Sequence, residues 1–364
     1  MKRNGINRIV LTILLTSGLT CQCLAISTSA ASAIVIEKRT GRVLYEQAAD
    51  EQRLIASITK IMTAVVALEQ GDMEAAYTVT TEDMAEGSSM YLRPGDVLTL
   101  EELLYGLMLA SGNDAALAVA HCVSGDLDAF VEEMNRTARR LGMNGSSFAN
   151  PNGLDQEGHY STARDMAILA ADAMDNETFC RIVSTSSITI GERYLKNHNK
   201  LLSLCEGCVG VKTGYTKAAG RTLVSAAERQ GMTLICVTLK DGDDWNDHQN
   251  LFNYGFDTYR METVAEEGCV LANVAVCGGE QNRIELIACG ELSYPVTDGE
   301  ELTLCVKIPV SVSAPVAAGQ VIGTACLYLD GREVDSVELA ASAAVKAAEK
   351  AEKSGISRFF PWEG

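Results

Sequence analysis

The sequence predicts an α/β domain of the α+β type, in which helices flank an antiparallel sheet, followed by a small all-β sandwich domain. Two pairs of short apolar runs, at 34–38 with 43–46 and at 221–229 with 232–239, surround turn residues and indicate β-hairpins. Helical patterns occupy most of the chain between these two pairs. From about Thr263 onward, short β-rich runs separated by glycine-containing turns replace the helices, which is typical of an all-β domain.

Charge and the first residues indicate where the chain works. The formal net charge of −18 at pH 7 opposes binding to nucleic acid. Residues 1–25 have the pattern of a secretory signal peptide, because basic residues precede the apolar run 9–20 and small residues precede a cleavage site after Ala25. An uncleaved N-terminal anchor is the alternative. Both arrangements predict an exported, extracytoplasmic protein.

Three segments follow the predicted signal peptide. Residues 26–260 form the α+β domain and residues 261–340 the β-sandwich domain. Residues 341–364 form a tail, and the Ala, Glu and Lys content of 340–353 predicts a helix there. The aromatic end Phe359-Phe360-Pro361-Trp362 makes this tail a candidate weak membrane anchor. A solvated helix is the alternative, because the polar face carries as many Glu as Lys residues.

The run 54–64 is the stretch around which the rest of the chain is organised. Ser57 and Lys60 begin an apolar helix that is predicted to reach Gln70 and to end at Gly71. Residues three apart share one face of a helix, so the hydroxyl and the amine are expected to meet. A buried lysine gives up its proton easily, and a neutral amine beside a serine makes a nucleophile. A surface lysine beside an unrelated serine is the alternative.

A second polar group interrupts two apolar helices. Thr99 and Glu102 form a predicted capping box for a helix that breaks at Ser111-Gly112-Asn113, and another helix follows at once. A polar break of this kind presents Ser111 and Asn113 into a cleft when the two helices are buried. A plain turn between helices gives the same sequence pattern.

A third motif lies on a predicted edge strand at 209–216. Lys212 and Thr213 are neighbours and therefore point to opposite faces of that strand. Gly214, just before Tyr215, permits close approach of another backbone. Upstream, residues 186–195 alternate in the manner of a single strand.

In this order the three motifs resemble those of the serine-type D-alanyl-D-alanine carboxypeptidases, the low-molecular-weight penicillin-binding protein family. The segments at Ser57, Ser111, His159 and Lys212 all look like signatures of that family. The likeness covers about 33–259, and the small β domain also matches the layout of the family. The resemblance implies the DD-peptidase/β-lactamase-like fold and an enzyme of the cell wall.

The resemblance also implies the catalytic roles. Ser57 attacks the carbonyl of the terminal D-Ala–D-Ala bond in a peptidoglycan stem pentapeptide, and Lys60 takes the hydroxyl proton. Ser111 relays a proton to the leaving amine, and Asn113 orients the substrate amide. Water then releases the acyl-enzyme. β-Lactams mimic the dipeptide and are expected to trap Ser57.

Substrate binding is assigned to the edge strand by the same resemblance. Lys212 and Thr213 would hold the free C-terminal carboxylate, and the N–H groups of Ser57 and Tyr215 would form the oxyanion hole. Many members of the family have an arginine where this chain has His198, near the carboxylate pocket. Because the imidazole of His198 can be neutral, carboxylate binding is expected to depend more on Lys212.

No cofactor or metal is expected, because the four histidines are scattered and form no ligand-spaced cluster. A β-lactamase of the same fold is one rival, but it needs a positioned glutamate, and Glu132 lies on the predicted solvated face of a helix. A non-catalytic wall-binding protein is the other rival. His159 either borders the site or makes a structural hydrogen bond. Cys205 and Cys208 form a disulfide or a redox pair, or are free thiols, the interpretation we favour.

Overall fold

The computed structural model describes the backbone of residues 7–12 and all of residues 26–349. The remainder of the predicted signal peptide therefore lies outside the described residues. Packing divides the chain into two compact units, which adjoin in sequence between Arg260 and Met261. Each unit has its own apolar core.

The strands, in chain order, are β1 (Asn7–Thr12), β2 (Ser32–Glu37), β3 (Val43–Gln47), β4 (Ala76–Thr78), β5 (Val97–Thr99), β6 (Ser187–Ile190), β7 (Arg193–Lys196), β8 (Cys208–Thr216), β9 (Gly220–Arg229), β10 (Met232–Asp241), β11 (Arg260–Ala265), β12 (Val270–Cys277), β13 (Arg283–Ala288), β14 (Leu292–Val296), β15 (Leu302–Ile308), β16 (Ser311–Ser313), β17 (Val321–Leu329) and β18 (Arg332–Ala341). The helices are α1 (Lys60–Gln70), α2 (Leu100–Leu109), α3 (Asn113–Ser124), α4 (Leu127–Arg140), α5 (Ala163–Ala173), α6 (Glu177–Ser184), α7 (Leu201–Leu204) and α8 (Asp244–Thr258).

The larger unit contains the antiparallel sheet that the sequence predicts. Its strand order is β3-β2-β10-β9-β8, so β8 is an edge strand that pairs with β9 alone. Both predicted hairpins are present, as β2–β3 and as β9–β10. The edge position leaves one side of the β8 backbone without a neighbouring strand of this sheet.

Helices cover both faces of this sheet, and the alternation of β10 shows how. Ile235 and Val237 point into the core formed with α1 to α6. Thr238 points to the other face, where its hydroxyl contacts the imidazole of His248 on α8. The predicted α+β layering is therefore confirmed.

Local capping signals in the helical region are also confirmed. The hydroxyl of Thr99 accepts a hydrogen bond from the Glu102 N–H, and the Glu102 carboxylate accepts one from the Thr99 N–H, which completes the capping box of α2. Helix α1 ends at Gly71, as predicted, but Gly71 is extended and not left-handed. A side chain there would lie 2.3 Å from Leu100, so close packing against α2 explains the glycine.

The smaller unit is all-β, as predicted. One sheet has the order β1-β15-β17-β18-β13-β12-β16, and β11 pairs with β14 in a second. The pairs within the larger sheet are antiparallel except for β12 with β16. Among the helices in the described part of the chain, none is long and apolar enough to span a bilayer.

Two predictions from the sequence are wrong in detail. The single strand predicted at 186–195 is a hairpin of β6 and β7, because Gly191 takes a positive φ of 57° and reverses the chain. The helix predicted at 340–353 is absent from its described part: β18 takes its first residues, and 342–349 forms no helix. There, the buried Val345 pairs with Val316, and this pairing overrides the alanine-rich helix propensity. Residues 350–364 lie outside the described residues.

Candidate active site

Ser57 lies at a tight turn that leads directly into α1. Residues Ala56–Thr59 form a 3₁₀ turn, and Lys60 begins the α-helix. Ala56 has a φ of 50°, a left-handed conformation that is strained for a residue with a side chain. The strained turn leaves Ser57 half-buried while both of its neighbours are buried.

Lys60 is fully buried beneath Ser57. Its Nζ lies 3.0 Å from Ser57 Oγ, 2.8 Å from Asn113 Oδ1 and 2.6 Å from the Asn152 carbonyl oxygen. The Asn113 orientation is fixed because its Nδ2 donates to the Glu86 carbonyl at 2.7 Å. The predicted meeting of hydroxyl and amine is therefore present, with two further polar neighbours.

Burial lowers the pKa of Lys60 well below its ordinary value, and the positive charge of Lys212 lowers it further, whereas Asp114 acts in the opposite direction. A neutral amine has two N–H donors and one lone pair. Two of the three contacts of Lys60, Asn113 Oδ1 and the Asn152 carbonyl, only accept. A neutral Lys60 would keep its lone pair for the hydroxyl proton of Ser57, as a general base does.

The break between α2 and α3 brings the second motif to this site. Ser111 has a φ of 57° and is almost fully buried. The carboxylate of Asp114 fastens the facing loop by accepting hydrogen bonds from the N–H groups of Met90 and Leu92, both at 3.0 Å, and from Ser89 Oγ at 2.6 Å. Asp114 holds the loop in place and does not line the cleft.

Strand β8 forms the opposite wall. A side chain built on Gly214 would lie 2.4 Å from Thr222 Oγ1 and 3.0 Å from the Ser57 nitrogen, so only glycine lets the strand pass this close to the serine turn. Lys212 points to the inner face and is buried, and its Nζ donates to the Thr213 carbonyl at 2.8 Å. Burial lowers the pKa of Lys212 to about 7.

These walls enclose a cleft of about 510 Å³ with Ser57 in its lining. The other residues that line it are Ser88, Ser111, His198, Thr213, Gly214, Tyr215, Arg221, Asp244 and Trp245. His198 reaches the cleft from the segment before α7, and partial desolvation lowers the pKa of its imidazole, with a smaller effect from the Lys212 charge.

The chain matches two family models. One, described as D-alanyl-D-alanine carboxypeptidase, covers residues 20–243. The other, described as Penicillin-binding protein 5, C-terminal domain, covers residues 259–347. The chain belongs to the D-alanyl-D-alanine carboxypeptidase family.

Alignments with individual members of the family cover most of the chain. A D-alanyl-D-alanine carboxypeptidase, DacF of Bacillus subtilis strain 168, is 35% identical over an alignment of 349 positions that covers 91% of this chain and 88% of the relative. DacC of Escherichia coli K12 is 32% identical and covers 85% of this chain and 82% of its own. The solved structure of penicillin binding protein 5 from Haemophilus influenzae superposes with a TM-score of 0.76 at 29% identity, covering 90% of this chain and 100% of that one.

The nine residues predicted for the carboxypeptidase site lie at or directly behind one cleft. Six of them line it, and Lys60, Asn113 and Lys212 are buried behind it. Sequence reasoning missed the carbonyl of Asn152, which contacts Lys60, and the pair Arg221 and Asp244 on the rim. Main-chain contacts leave no signal in a sequence, and the rim pair comes from two elements 23 residues apart.

Three further residues that the sequence analysis discussed, His159, Cys205 and Cys208, lie outside the lining of the cleft. His159 is buried, and its imidazole contacts Thr59 Oγ1 at 2.7 Å and accepts from the Ala149 N–H at 3.1 Å, so it joins the loop before α5 to the serine turn. Burial lowers the pKa of His159 to about 4. Cys205 and Cys208 carry free thiols, which is the interpretation we favoured.

Proposed function

We propose that this chain is a serine-type D-Ala-D-Ala carboxypeptidase that removes the terminal D-Ala from peptidoglycan stem pentapeptides through an acyl-enzyme on Ser57. The observation that supports it most is the set of contacts of Lys60. Its buried amine has two neighbours that only accept and one, the Ser57 hydroxyl, that can donate.

In the acylation step, Ser57 Oγ attacks the carbonyl carbon of the penultimate D-Ala while its proton passes to Lys60 Nζ. The N–H groups of Ser57 and Tyr215 stabilise the oxyanion that forms, and each such donor contributes roughly 10²–10³ in rate. Ser111 carries a proton to the leaving nitrogen. The amide bond breaks, D-Ala leaves as the free amino acid, and an ester on Ser57 remains.

In the deacylation step, water attacks the ester carbonyl and the proton returns through Lys60, which restores Ser57. The substrate lies extended along the free edge of β8, where backbone groups are available for pairing. Asn113 orients the substrate amide, Gly214 allows the peptide to approach, and Lys212, Thr213 and His198 surround the C-terminal carboxylate.

The same nucleophile accounts for penicillin binding. Ser57 Oγ attacks the carbonyl carbon of the β-lactam ring, and the amide C–N bond of the ring breaks. The acyl-enzyme persists because the leaving nitrogen stays covalently attached to the acyl group. A β-lactamase would need a carboxylate that drives deacylation. Glu132 is exposed on α4, which makes it unsuited to that role.

The setting of the reaction follows from its substrate. Peptidoglycan lies outside the cytoplasm, so we assign residues 1–25 to an export signal. This segment includes β1, which pairs with β15 in the unprocessed chain. The tail 350–364 gives peripheral contact with the outer face of the cytoplasmic membrane through its aromatic end.

Release of D-Ala from a stem pentapeptide tests the proposal. Wild-type protein and Ser203→Ala, which changes an exposed serine on α7, are expected to release D-Ala, whereas Ser57→Ala is expected to release none. D-Ala release by Ser57→Ala at the wild-type rate would contradict the proposal. Rapid turnover of nitrocefin by the wild type would favour the β-lactamase instead.

A further inference from the structure

We propose that Arg221, held in position by Asp244, is a substrate-binding residue that grips the C-terminal carboxylate together with the Thr213 hydroxyl. The inference rests on the proposed carboxypeptidase function and names the group that selects a free acid at the end of the substrate. Nothing in the motifs that identify the family includes either residue of this pair.

The register of β8 and β9 places Arg221 beside the carboxylate-binding motif. Arg221 lies opposite Tyr215, and Leu223 lies opposite Thr213. Residues opposite one another in an antiparallel ladder point to the same face, so Thr213 and Arg221 are diagonal neighbours on one face. A diagonal neighbour about 7–8 Å away is within reach of a long side chain such as arginine. Both residues line the same cleft as Ser57.

The face itself is separate from the buried catalytic amines. Thr222, the next residue along β9, points the other way, and its hydroxyl donates to the Ile55 carbonyl at 2.9 Å beneath the serine turn. Lys212 shares that inner face, where its Nζ donates to the Thr213 carbonyl. On the face of the sheet that carries Thr213, the positively charged residue in the described lining of the cleft is therefore Arg221 of β9.

Among the described residues that line the cleft, Arg221 is the one that carries a guanidinium. Lys212 has a pKa of about 7 and is only partly charged at neutral pH. The pKa of His198 is lowered, so its imidazole is neutral there. A guanidinium offers two parallel charged donors to a carboxylate, which makes it the strongest partner for that group among the residues of this cleft.

Asp244 orients the Arg221 guanidinium but leaves some of its N–H donors available to a ligand. It is the first residue of α8, is almost fully buried, and accepts from the Trp245 N–H at 3.2 Å. Its oxygens lie 3.4 and 3.5 Å from one Nη of Arg221, longer than the 2.7–2.9 Å of a strong charged pair. The Arg221 side chain is 52% exposed, which leaves donors available to a ligand.

The consequence is discrimination between a free carboxylate and a neutral end. A peptide that ends in D-Ala-D-Ala carries one negative charge that Arg221 and Thr213 hold, whereas the same peptide with a C-terminal amide offers none. Hydrogen bonds to a charged group contribute more than neutral ones, which corresponds to about 10- to 100-fold in kcat/KM.

Two pentapeptides, one ending in a free D-Ala carboxylate and one in its amide, test this proposal. For Arg221→Ala, kcat/KM for the acid is expected to fall about 10- to 100-fold, mainly through KM, while kcat/KM for the amide stays at the wild-type value. Arg221→Lys keeps the charge without the paired donors, so its kcat/KM for the acid is expected to lie between the values of the wild type and of Arg221→Ala. Asp244→Asn is expected to lower the acid-to-amide ratio by a smaller factor.

Arg181→Ala is the matched control, because Arg181 is 49% exposed and also pairs with one carboxylate, that of Glu101, away from the cleft. Its acid-to-amide ratio is expected to stay unchanged. An unchanged ratio in Arg221→Ala, or an equal loss on both peptides, would overturn the role of Arg221 and leave the carboxypeptidase proposal standing. Absence of D-Ala release by the wild type would overturn both.

Discussion

In the mechanism we propose, the protonation state of the buried Lys60 amine decides whether Ser57 can act as a nucleophile. Lys60 shares its polar pocket with Asn113 and the Asn152 carbonyl, and neither can supply a proton to a neutral amine. Burial lowers the pKa of Lys60 toward the neutral form, and the contacts accommodate that form, with an acceptor for each of its two N–H groups and the Ser57 hydroxyl facing its lone pair. A charged Lys60 would leave its desolvation cost uncompensated by any carboxylate in contact.

Replacing Lys60 with Met tests this state. The variant keeps the buried volume but removes the base, so the rate of acylation by benzylpenicillin is expected to fall by about 10²–10⁴-fold. Lys196→Met, on the exposed side of β7, is the control and is expected to acylate at the wild-type rate. Wild-type acylation by Lys60→Met would remove the lysine from the mechanism.

The positive charge of Lys212 also influences acylation, because it changes the pKa of Lys60. Its positive charge lowers that pKa, so Lys212→Met removes the repulsion and raises it. Acylation needs neutral Lys60, and the acidic limb of the pH–rate profile for penicillin acylation is therefore expected to move to higher pH. Lys217→Met, an exposed residue after β8, is expected to leave the limb in place. A limb that stays or moves to lower pH in Lys212→Met would contradict this coupling.

At the scale of elements, local patterns place Ser57 with Lys60 on a helix, Ser111 with Asn113 at a break between helices, and Lys212 with Thr213 on a strand. The family resemblance, and not these patterns, predicts that the three motifs meet in one site, and neither predicts how closely they pack. The carbonyl of Asn152 could not be predicted, because any residue type offers a carbonyl. The alternating pattern at 186–195 does not predict the hairpin, because the sequence does not show that Gly191 takes a positive φ.

The loop that carries Asn152 gives an element-scale prediction. Gly153 has a φ of 84°, and a methyl group there would lie 2.1 Å from the Ala56 carbonyl oxygen at the strained serine turn. Gly153→Ala is expected to displace this turn and to lower the acylation rate more than 10-fold, as with other small shifts of positioned groups.

Gly158→Ala is the matched control. Gly158 has a φ of 79° in the same loop, but a methyl group there would meet nothing within 4 Å. This variant is expected to lose about 1 kcal/mol of stability from backbone strain and to acylate normally. Equal acylation by the two variants would show that the loop does not support the serine turn.

At the scale of the whole molecule, two buried histidines link the fold of the larger unit to pH. His248 of α8 lies against the sheet with both ring nitrogens bound, to Ser225 and to Thr238, and burial lowers its pKa to about 3. The pKa of His159 is about 4 for the same reason. Both are neutral in the folded protein at pH 5, whereas both are protonated in the unfolded chain.

Because the unfolded chain binds more protons, the free energy of unfolding is expected to fall as pH decreases below about 6.5, by about 2 kcal/mol for each histidine at pH 5. His248→Asn is expected to show a pH-dependent loss smaller by about that amount. Urea unfolding of both proteins at pH 8, where the histidine is neutral in both states, and at pH 5 measures it. An equal loss in both would mean that His248 is protonated in the fold.

The two-unit architecture was predictable because composition changes near Thr263 and hairpin signals recur after it. The structure at the end of the second unit, in residues 340–349, was not predictable, because an alanine-rich sequence favours a helix wherever tertiary pairing does not oppose it. Val345 is held by pairing with Val316, a partner 29 residues away. Long-range pairing of this kind decides the structure of a segment even where its local preference is for a helix.

Peptide mapping after exposure to benzylpenicillin tests the central claim most directly, because it reports which atom of the protein forms the covalent bond. The wild-type protein is expected to gain the mass of one penicillin, located on the peptide that contains Ser57, and Lys60→Met is expected to gain almost none in the same time. An adduct on another residue, or no adduct on the wild type, would contradict the account.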